Sequence, residues 1–345
     1  MRKSVLILIV VTAICAMIVI VQAANSGPYK VVRTAKAGGI GGFDYVNADS
    51  AARRLYVARS GQGARITVFN LDTLEPAGEI PMVSSHGVAI DPKSGHGIAS
   101  SKPITMFDAK TLAVIKKIEV NGSPDGLLFD PFNGRFHVLS HLAPHDTVIN
   151  AADGTVLGTI DLGGQPEQAA SDGKGKIYID VEDKGEIAVV DAKTMTVTGK
   201  YDLMGKGGTC AGLALDNKNH ILFASCRNPA NMVVLSANDG KIITTLPIGM
   251  GTDGAAFNPS TMEAFSSNTD GTLNVIKEKS PTSFDLEQTV QTKTTGKTMA
   301  LDTKTNQIYI IAAEFGPPAN PPAPGARGGR GAMVADSFSI LVVGK

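Results

Sequence analysis

The stretch CAGLALDNKNHILFASC, residues 210–226, decides the fold. Two apolar runs of strand length, AGLAL and ILFAS, flank the turn-forming cluster DNKNH, and this pattern predicts a β-hairpin. Looser versions of the same unit follow elsewhere in the chain: HGVAIDPKSGHGIASS (86–101), PDGLLFDPFNGRFHVLS (124–140), TDGAAFNPSTMEAFSSN (252–268) and GKTMALDTKTNQIYIIA (296–312). Internal repetition of this kind indicates a repeat architecture.

The repeat has a regular period. An Asp or Asn ends the first strand of each unit, at intervals of 39 to 44 residues: Asp49, Asp91, Asp130, Asp172, Asp216, Asn258 and Asp302. Seven units of about 42 residues match the length of a four-stranded propeller blade. The short apolar runs are rich in Val, Ile and Thr, which favours an all-β fold. We therefore predict a seven-bladed β-propeller, formed as one domain by residues 29–345.

The two ends of the chain predict how the ring closes. In each unit the hairpin described above supplies strands A and B, and a second strand–turn–strand segment supplies strands C and D. The last unit stops after three strands. Residues 29–37, YKVVRTAKA, resemble a D strand such as GTVLGTIDL. We expect this N-terminal strand to complete the last blade, because closure removes the exposed edges of the array.

The N-terminus resembles a targeting segment. Arg2 and Lys3 precede a long apolar run from Val5 to Val21, and Ala23 ends an acceptable cleavage site. Residues 1–23 are predicted to be a signal peptide, or an uncleaved anchor, since the run is rather long. The mature protein is then periplasmic or secreted, with a membrane contact only if the segment is retained.

Export affects how the cysteines are interpreted. Cys210 and Cys226 flank one hairpin symmetrically about its turn, so they should face each other across its two strands. An oxidising compartment makes a disulfide between them plausible. The alternative is a pair of buried free thiols.

The composition limits the partners. The chain has 32 basic and 32 acidic residues, so its zero net charge provides no attraction to nucleic acid. It has no Trp, which weakens the case for a quinone-cofactor dehydrogenase. The C-x-x-C-H, G-x-S-x-G, Walker and H-E-x-x-H motifs are all missing from the sequence.

The repeats resemble a known family. FSSN, Phe265 to Asn268, resembles the YVTN repeat, and YVAR, YIDV and FASC are looser versions. An exported ring of seven such units is similar to the YncE-like family of bacterial β-propellers. The resemblance implies a propeller fold but little about function. Most units have lost the Asn of the motif, so a ligand role for it could be transferred only to Asn268.

A ring of polar residues is predicted at the mouth of the central channel. The residues five positions before the repeated Asp or Asn should share one level of strand A, namely Asp44, His86, Asp125, Glu167, Ala211, Asp253 and Lys297. All but Ala211 are polar or charged. Adjacent blades would let two or three of them converge, whereas opposite blades would not. The alternative is that strand starts beside a hydrated channel merely tolerate polar residues.

Three histidines follow within one unit. In RFHVLSHLAPHDTV, His137 takes the position of aromatic residues in other units, so we expect it in the core. His141 and His145 should lie at the channel mouth, near His86, Asp125 and Glu167. A metal site, if there is one, would combine His86, Asp125, Glu167 and His141, because carboxylates suit Ca²⁺ and a His–carboxylate set suits Zn²⁺. The alternative is that His141 and His145 are ordinary surface residues.

One segment interrupts the pattern. Residues 315–335 form a Pro- and Gly-rich insert between strands B and C of the last unit, with Arg327 and Arg330 as its cations. It is either a surface loop or a lid over the mouth.

Two functions follow from these features. The first is an exported, non-catalytic and monomeric propeller that binds a small molecule or a partner protein at the channel mouth, with no cofactor assigned. The second is a metal-dependent, lactonase-like hydrolase that uses the acidic and histidine ring.

Overall fold

A computed structural model describes residues 27–317 and 331–345, and these residues form seven four-stranded antiparallel sheets arranged as blades of a ring. Each blade runs A, B, C, D from the channel outwards. The predicted seven-bladed β-propeller is therefore confirmed. The predicted signal segment, residues 1–23, and most of the predicted insert lie outside the described residues. The described ranges contain no apolar helix of membrane-spanning length.

The strands of blades 1 to 4 follow in chain order after the N-terminal strand β1 (Lys30–Lys36). Blades 1 and 2 comprise β2 (Gly42–Asp49), β3 (Arg54–Ser60), β4 (Arg65–Asn70), β5 (Pro76–Pro81), β6 (Val88–Asp91), β7 (His96–Ala99), β8 (Ile104–Asp108) and β9 (Val114–Ile118). Blades 3 and 4 comprise β10 (Pro124–Asp130), β11 (Arg135–Ser140), β12 (Asp146–Asn150), β13 (Val156–Ile160), β14 (Pro166–Ser171), β15 (Lys176–Val181), β16 (Glu186–Asp191) and β17 (Thr196–Asp202).

The remaining strands form blades 5 to 7. Blades 5 and 6 comprise β18 (Cys210–Asp216), β19 (Ile221–Arg227), β20 (Ala230–Ser236), β21 (Ile242–Pro247), β22 (Thr252–Asn258), β23 (Glu263–Asn268), β24 (Thr272–Ser280) and β25 (Ser283–Gln291). Blade 7 comprises β26 (Met299–Asp302), β27 (Gln307–Ala312) and β28 (Ser339–Gly344), with β1 as its outer strand.

The N-terminal strand closes the ring as predicted. Strand β1 pairs with β28 in antiparallel register, from Lys30 opposite Gly344 to Lys36 opposite Ser339. Just before it, Tyr29 packs edge-on against Phe265 of blade 6. The first and last described segments therefore belong to one sheet, in which β1 covers the outer edge of β28.

The repeated Asp or Asn has a structural role. In every blade its side-chain oxygen accepts a hydrogen bond from the backbone N–H two residues later, which builds the A–B turn: Asp49 to Ala51, Asp91 to Lys93, Asp130 to Phe132, Asp172 to Lys174, Asp216 to Lys218, Asn258 to Ser260 and Asp302 to Lys304. Such Asx turns explain why the residue type recurs with the blade period.

The core is divided between the blades. Seven apolar clusters of described residues each lie between two neighbouring blades. In one of them, Tyr56 of blade 1 packs against Phe107 of blade 2. Since each blade buries its faces only against its neighbours, the ring must close to bury all of them.

The hairpin at residues 210–226 carries the predicted disulfide. Cys210 and Cys226 are directly opposed partners of β18 and β19, and a disulfide bond joins them. Both residues belong to the apolar cluster between blades 4 and 5. Arg227, the residue that follows Cys226, contacts Asp253 of the site described next.

Candidate functional site

Irregular pairing at the start of strand A positions the polar ring. In blade 1 the register shifts between Phe43 and Val46, so Asp44 and Tyr45 together oppose one residue of strand B. Similar shifts occur at the same level in blades 3, 4, 5 and 6. Such bulges redirect side chains and are common beside functional sites. In blades 2 and 7, His86 and Lys297 come two residues before the strand begins.

The ring residues predicted from the sequence come together at the channel mouth. Their contacts divide them into two groups. The paired arc consists of Arg227, Asp253, Lys297 and Asp44, from blades 5, 6, 7 and 1. The open arc consists of His86, Asp125, His141 and Glu167, from blades 2, 3 and 4. The binding role predicted for these residues stays a prediction.

The paired arc is a continuous chain of ion pairs. Lys297 Nζ lies 2.7 Å from Asp44 Oδ1 and also contacts the carboxylate of Asp253. Arg227 contacts the other oxygen of Asp253 and lies 3.3 Å from Glu182 Oε2. Its Nε donates a hydrogen bond to the carbonyl of Thr252 at 2.9 Å. Cations and carboxylates alternate, so each buried charge has an opposite neighbour.

In the paired arc, Lys297 and Asp44 stabilise each other's charge, whereas burial of Asp253 outweighs the charges of Lys297 and Arg227 and raises its pKa. Burial lowers the pKa of the Lys297 ammonium, but the carboxylates of Asp253 and Asp44 outweigh this effect and raise it. Burial raises the pKa of Asp44, but the hydrogen bond with His86 and the charge of Lys297 outweigh it, so the pKa is lowered. Both groups are therefore charged at neutral pH.

The open arc is held more loosely. His86 Nδ1 lies 2.8 Å from Asp44 Oδ2 but 3.4 Å from Asp125 Oδ1. His141 Nε2 lies 3.4 Å from Asp125 Oδ2 and 3.6 Å from Glu167 Oε1. These longer distances are beyond the usual range for a hydrogen bond. Among the described residues, Asp125 Oδ1 and His141 Nε2 have no hydrogen-bond partner.

The loose contacts change the acidity of the open arc. Burial, together with the charge of Asp44, raises the pKa of Asp125 to about 6. The contact with Glu167, against the cost of burial, raises the pKa of His141 to about 9. The hydrogen bond with Asp44 raises the pKa of His86. Asp125 is thus a carboxylate whose charge its surroundings stabilise incompletely.

The open arc also has the geometry of metal-binding groups. Two triads, Asp44–His86–Asp125 and Asp125–His141–Glu167, each offer ligand atoms that lie within 4.8 Å of one another. Asp125 belongs to both. Of the predicted metal ligands His86, Asp125, Glu167 and His141, the last three thus form one triad.

Tyr45 connects opposite sides of the channel. From blade 1, its hydroxyl donates to Glu167 Oε2 of blade 4 at 2.8 Å. The expectation that ring residues of opposite blades do not converge did not consider Tyr45, which lies outside the predicted ring and is long enough to cross the channel from the bulge. Burial and the charge of Glu167 raise the pKa of Tyr45 well above its usual value, so the phenol stays a donor. Below it lies a cavity of about 120 Å³.

The other histidines have structural roles. His137 is fully buried, with Nδ1 2.7 Å from Asp146 Oδ2, which confirms its predicted core position. His145 pairs with Asp161 at 2.7 Å rather than joining the open arc. Sequence reasoning grouped it with His141, but only His141 contacts the ring.

Several site residues were not predicted. Blade 5 was expected to be absent from the polar ring, since its ring position is Ala211. This expectation is wrong, because Arg227 at the end of β19 contacts Asp253 and so contributes a charge of blade 5 to the ring. Tyr45 and Glu182 were also missed. The one available signal was Arg227 itself, a cation directly after the last position of the repeat motif.

No family profile and no curated protein sequence matches the chain. Solved structures with the same architecture do match. The crystal structure of the RRP9 WD40 repeats superposes with a TM-score of 0.72 at 12% identity and covers 93% of this chain and 99% of that one. A mitotic checkpoint complex chain gives 0.71 at 10% identity over 91% of both chains. U3-55K gives 0.69 at 11% identity over 92% and 99%. At these identities the likeness shows the propeller fold alone.

Proposed function

We propose that the protein is an exported binding propeller of YncE-like type that holds a ligand at the open arc. The observation that carries the proposal is that the buried carboxylate of Asp125 is incompletely hydrogen-bonded. Its side chain is 14% exposed, it has a histidine on each side at 3.4 Å, and one of its oxygens has no hydrogen-bond partner among the described residues. An unpartnered buried polar group is costly, so a bound donor would stabilise it.

The chemistry of the arc indicates the kind of ligand. Asp125 and Glu167 present carboxylate oxygens, which accept hydrogen bonds. A ligand carrying an ammonium, guanidinium or amide N–H group would satisfy both, and a cationic donor would bind most strongly. Tyr45 limits how deeply the ligand can enter, because its ring lies across the channel below. The site therefore suits a group that enters from the mouth and stops there.

A calorimetric titration tests this proposal. The probe is agmatine, which carries one ammonium and one guanidinium group. Asp125→Asn with Glu167→Gln should weaken agmatine binding about tenfold or more, since both acceptors lose their charge. The matched control is Asp161→Asn, an exposed carboxylate bonded to His145 outside the arc. Equal binding by the double variant and the wild type would exclude the open arc.

A metal-dependent hydrolase is the second candidate function. The triad Asp125–His141–Glu167 favours it, since one histidine and two carboxylates are a ligand set that Zn²⁺ accepts. Ca²⁺ prefers six or more oxygens and is the weaker candidate. A bound metal could activate a water molecule for attack on a lactone or ester.

Thermal denaturation with added metal tests this candidate. ZnCl₂ should raise the melting temperature of the wild type, because a metal that prefers the folded state stabilises it. His141→Gln should abolish the rise, whereas His145→Gln should keep it. Metal-dependent turnover of a lactone probe, lost in Asp125→Asn, would establish the hydrolase. No rise with either Zn²⁺ or Ca²⁺ would eliminate this candidate.

Export is part of the main proposal. The apolar run from Val5 to Val21 supports it, as does the disulfide, which suits an oxidising compartment. N-terminal sequencing of the protein from a periplasmic fraction should begin at Ala24. Recovery of the full chain in the membrane fraction would instead indicate an anchor.

A further inference from the structure

Large apolar side chains are exposed on one face of the ring. Among the described residues, the four large apolar side chains with the greatest exposure are Met82 (92%), Met204 (74%), Met250 (72%) and Leu142 (61%), and the next is Val114 at 47%. The three methionines lie in D–A connections and Leu142 lies in a B–C loop. Both kinds of connection belong to the face where strand A begins, which is the face of the channel mouth. We call these four residues the methionine rim.

The rim lies close in sequence to the ring at the mouth. Leu142 directly follows His141, Met250 comes three residues before Asp253, and Met82 comes four residues before His86. Hydrogen bonds link the connection that carries Met250 to a neighbouring loop of the same face. The amide of Met250, for example, donates to Asp270 Oδ2 in a B–C loop at 2.7 Å.

Two of the rim methionines have a backbone conformation that is unfavourable for methionine. Met82 and Met204 have positive backbone φ angles of 60° and 51°, a conformation that disfavours side chains with a Cβ. Met195 and Met262 also have positive φ, but they lie in turns of the opposite face and are half-buried. A glycine would suit the backbone at Met82 and Met204 at least as well, and unlike Met195 and Met262 these two side chains lie largely in solvent, where they do not contribute to the core.

The mouth that the rim surrounds favours a cation. It presents five carboxylates, those of Asp44, Asp125, Glu167, Glu182 and Asp253, against the cations Lys297, Arg227 and His141, so negative charge remains in excess. Lys297 and Arg227 contact carboxylates of the paired arc, whereas in the open arc Asp125 Oδ1 has no hydrogen-bond partner among the described residues. Flexible methionine side chains adapt to partners of varied shape and are common at binding surfaces.

We infer that the methionine rim docks a polypeptide segment in which a lysine or arginine is flanked by apolar side chains. The cation would enter the mouth and contact Asp125 and Glu167, while the flanking side chains cover the rim. This inference rests on the proposed function, because it places the cation at the open arc. It goes further in naming a polypeptide as the partner.

Peptide display on the full chain tests the inference. A random dodecapeptide library panned against the immobilised protein should enrich sequences with Lys or Arg between apolar residues. The enriched peptide is then synthesised and its affinity measured. Substituting Met82, Met204 and Met250 together by Ser should weaken binding about tenfold or more, as loss of apolar anchors does. Asp125→Asn with Glu167→Gln should weaken it to a similar degree.

The controls separate a docking surface from a general effect. Phe132→Ser removes an apolar side chain, 44% exposed, from an A–B turn on the opposite face, and it should leave the affinity unchanged. Replacing the Lys or Arg of the peptide by norleucine should reproduce the loss seen with the Asp125 variant. Circular dichroism of each variant verifies that the propeller is folded.

Three outcomes would overturn the inference. Peptide binding that needs Asp125 but tolerates the rim substitutions would remove the rim and leave the proposed function standing. Failure to enrich any basic peptide, while agmatine still binds at Asp125, would have the same meaning. Light scattering that shows a wild-type dimer and a monomeric rim variant would make a second copy of the chain the occupant. Failure of the wild-type protein to bind either agmatine or any basic peptide would instead refute the proposed function.

Discussion

The two arcs of the channel mouth are built from equivalent positions of the same repeat, yet they differ in how well their charges are matched. In the paired arc, Lys297 and Arg227 each contact two carboxylates, with the Lys297–Asp44 distance at 2.7 Å. In the open arc, Asp125 lies 3.4 Å from each of two histidines, and one of its oxygens has no hydrogen-bond partner in the described part of the chain. A satisfied buried network stabilises a structure, whereas a partly satisfied one is costly. The difference is consistent with a stabilising role for the paired arc and with the ligand site proposed at the open arc.

The sharpest test of this difference compares one carboxylate from each arc. Asp253→Asn should lower the free energy of unfolding by roughly 3 to 5 kcal/mol, because it leaves two buried cations short of a partner. Asp125→Asn should leave the stability at pH 7 unchanged or raised. Urea denaturation of both variants at pH 7 measures the effects. Equal losses of unfolding free energy in the two variants would mean that both arcs contribute equally to stability.

The second-largest effect on the free energy of unfolding is expected from the disulfide beside the paired arc. Replacing Cys210 and Cys226 together by Ala should lower the free energy of unfolding by about 3 kcal/mol, since the bond closes a loop of 16 residues. Arg227 directly follows Cys226, so its contact with Asp253 should also become weaker. Urea denaturation with and without a reductant checks the loss, and the alanine variant should not respond to the reductant. An alanine variant with the same free energy of unfolding as the wild type would show that the disulfide does not stabilise the fold.

The contribution of Asp125 to the free energy of unfolding should change with pH in the opposite direction to that of an ordinary ion-paired carboxylate. The pKa of Asp125 is raised in the fold to about 6, so between about pH 4 and pH 6 the unfolded chain loses this proton first. Asp125 therefore lowers stability as pH rises through this window. Relative to wild type, Asp125→Asn should gain about 2 kcal/mol between pH 4 and pH 6. Urea denaturation at several pH values, with a chelator present, measures the difference, and a constant difference would contradict it.

A smaller effect is expected from His141. Its pKa is raised to about 9, so its stabilising contribution is complete below the unfolded pKa and is lost as pH rises through 9. His141→Gln should therefore cost about 1 kcal/mol near pH 6 and nothing near pH 10, after allowing for solvent screening of a side chain that is 31% exposed. His145→Gln, outside the arc, is the matched control. The same pH profile in both variants would show that the effect is not specific to the open arc.

Much of the site was predictable because the repeat provides a register. Counting five residues back from the repeated Asp or Asn identified Asp44, Asp125 and Glu167 without any structure. The prediction worked because the Asx turn and the bulge occur at fixed distances in each strand A. His141 was placed correctly for the same reason, since B–C loops share a face with the start of strand A. His145 was not, because a loop residue can turn towards either neighbour.

The sequence by itself determined the number of blades, the strand that closes the ring and the cysteine pair, because each depends on spacing along one chain. Only the tertiary structure decided which ring charges are matched. Arg227 neutralises Asp253 because blades 5 and 6 are adjacent, and Tyr45 meets Glu167 because the channel is narrow enough for one aromatic side chain to span. Both contacts depend on distances between blades, and no pattern within a single repeat encodes those distances.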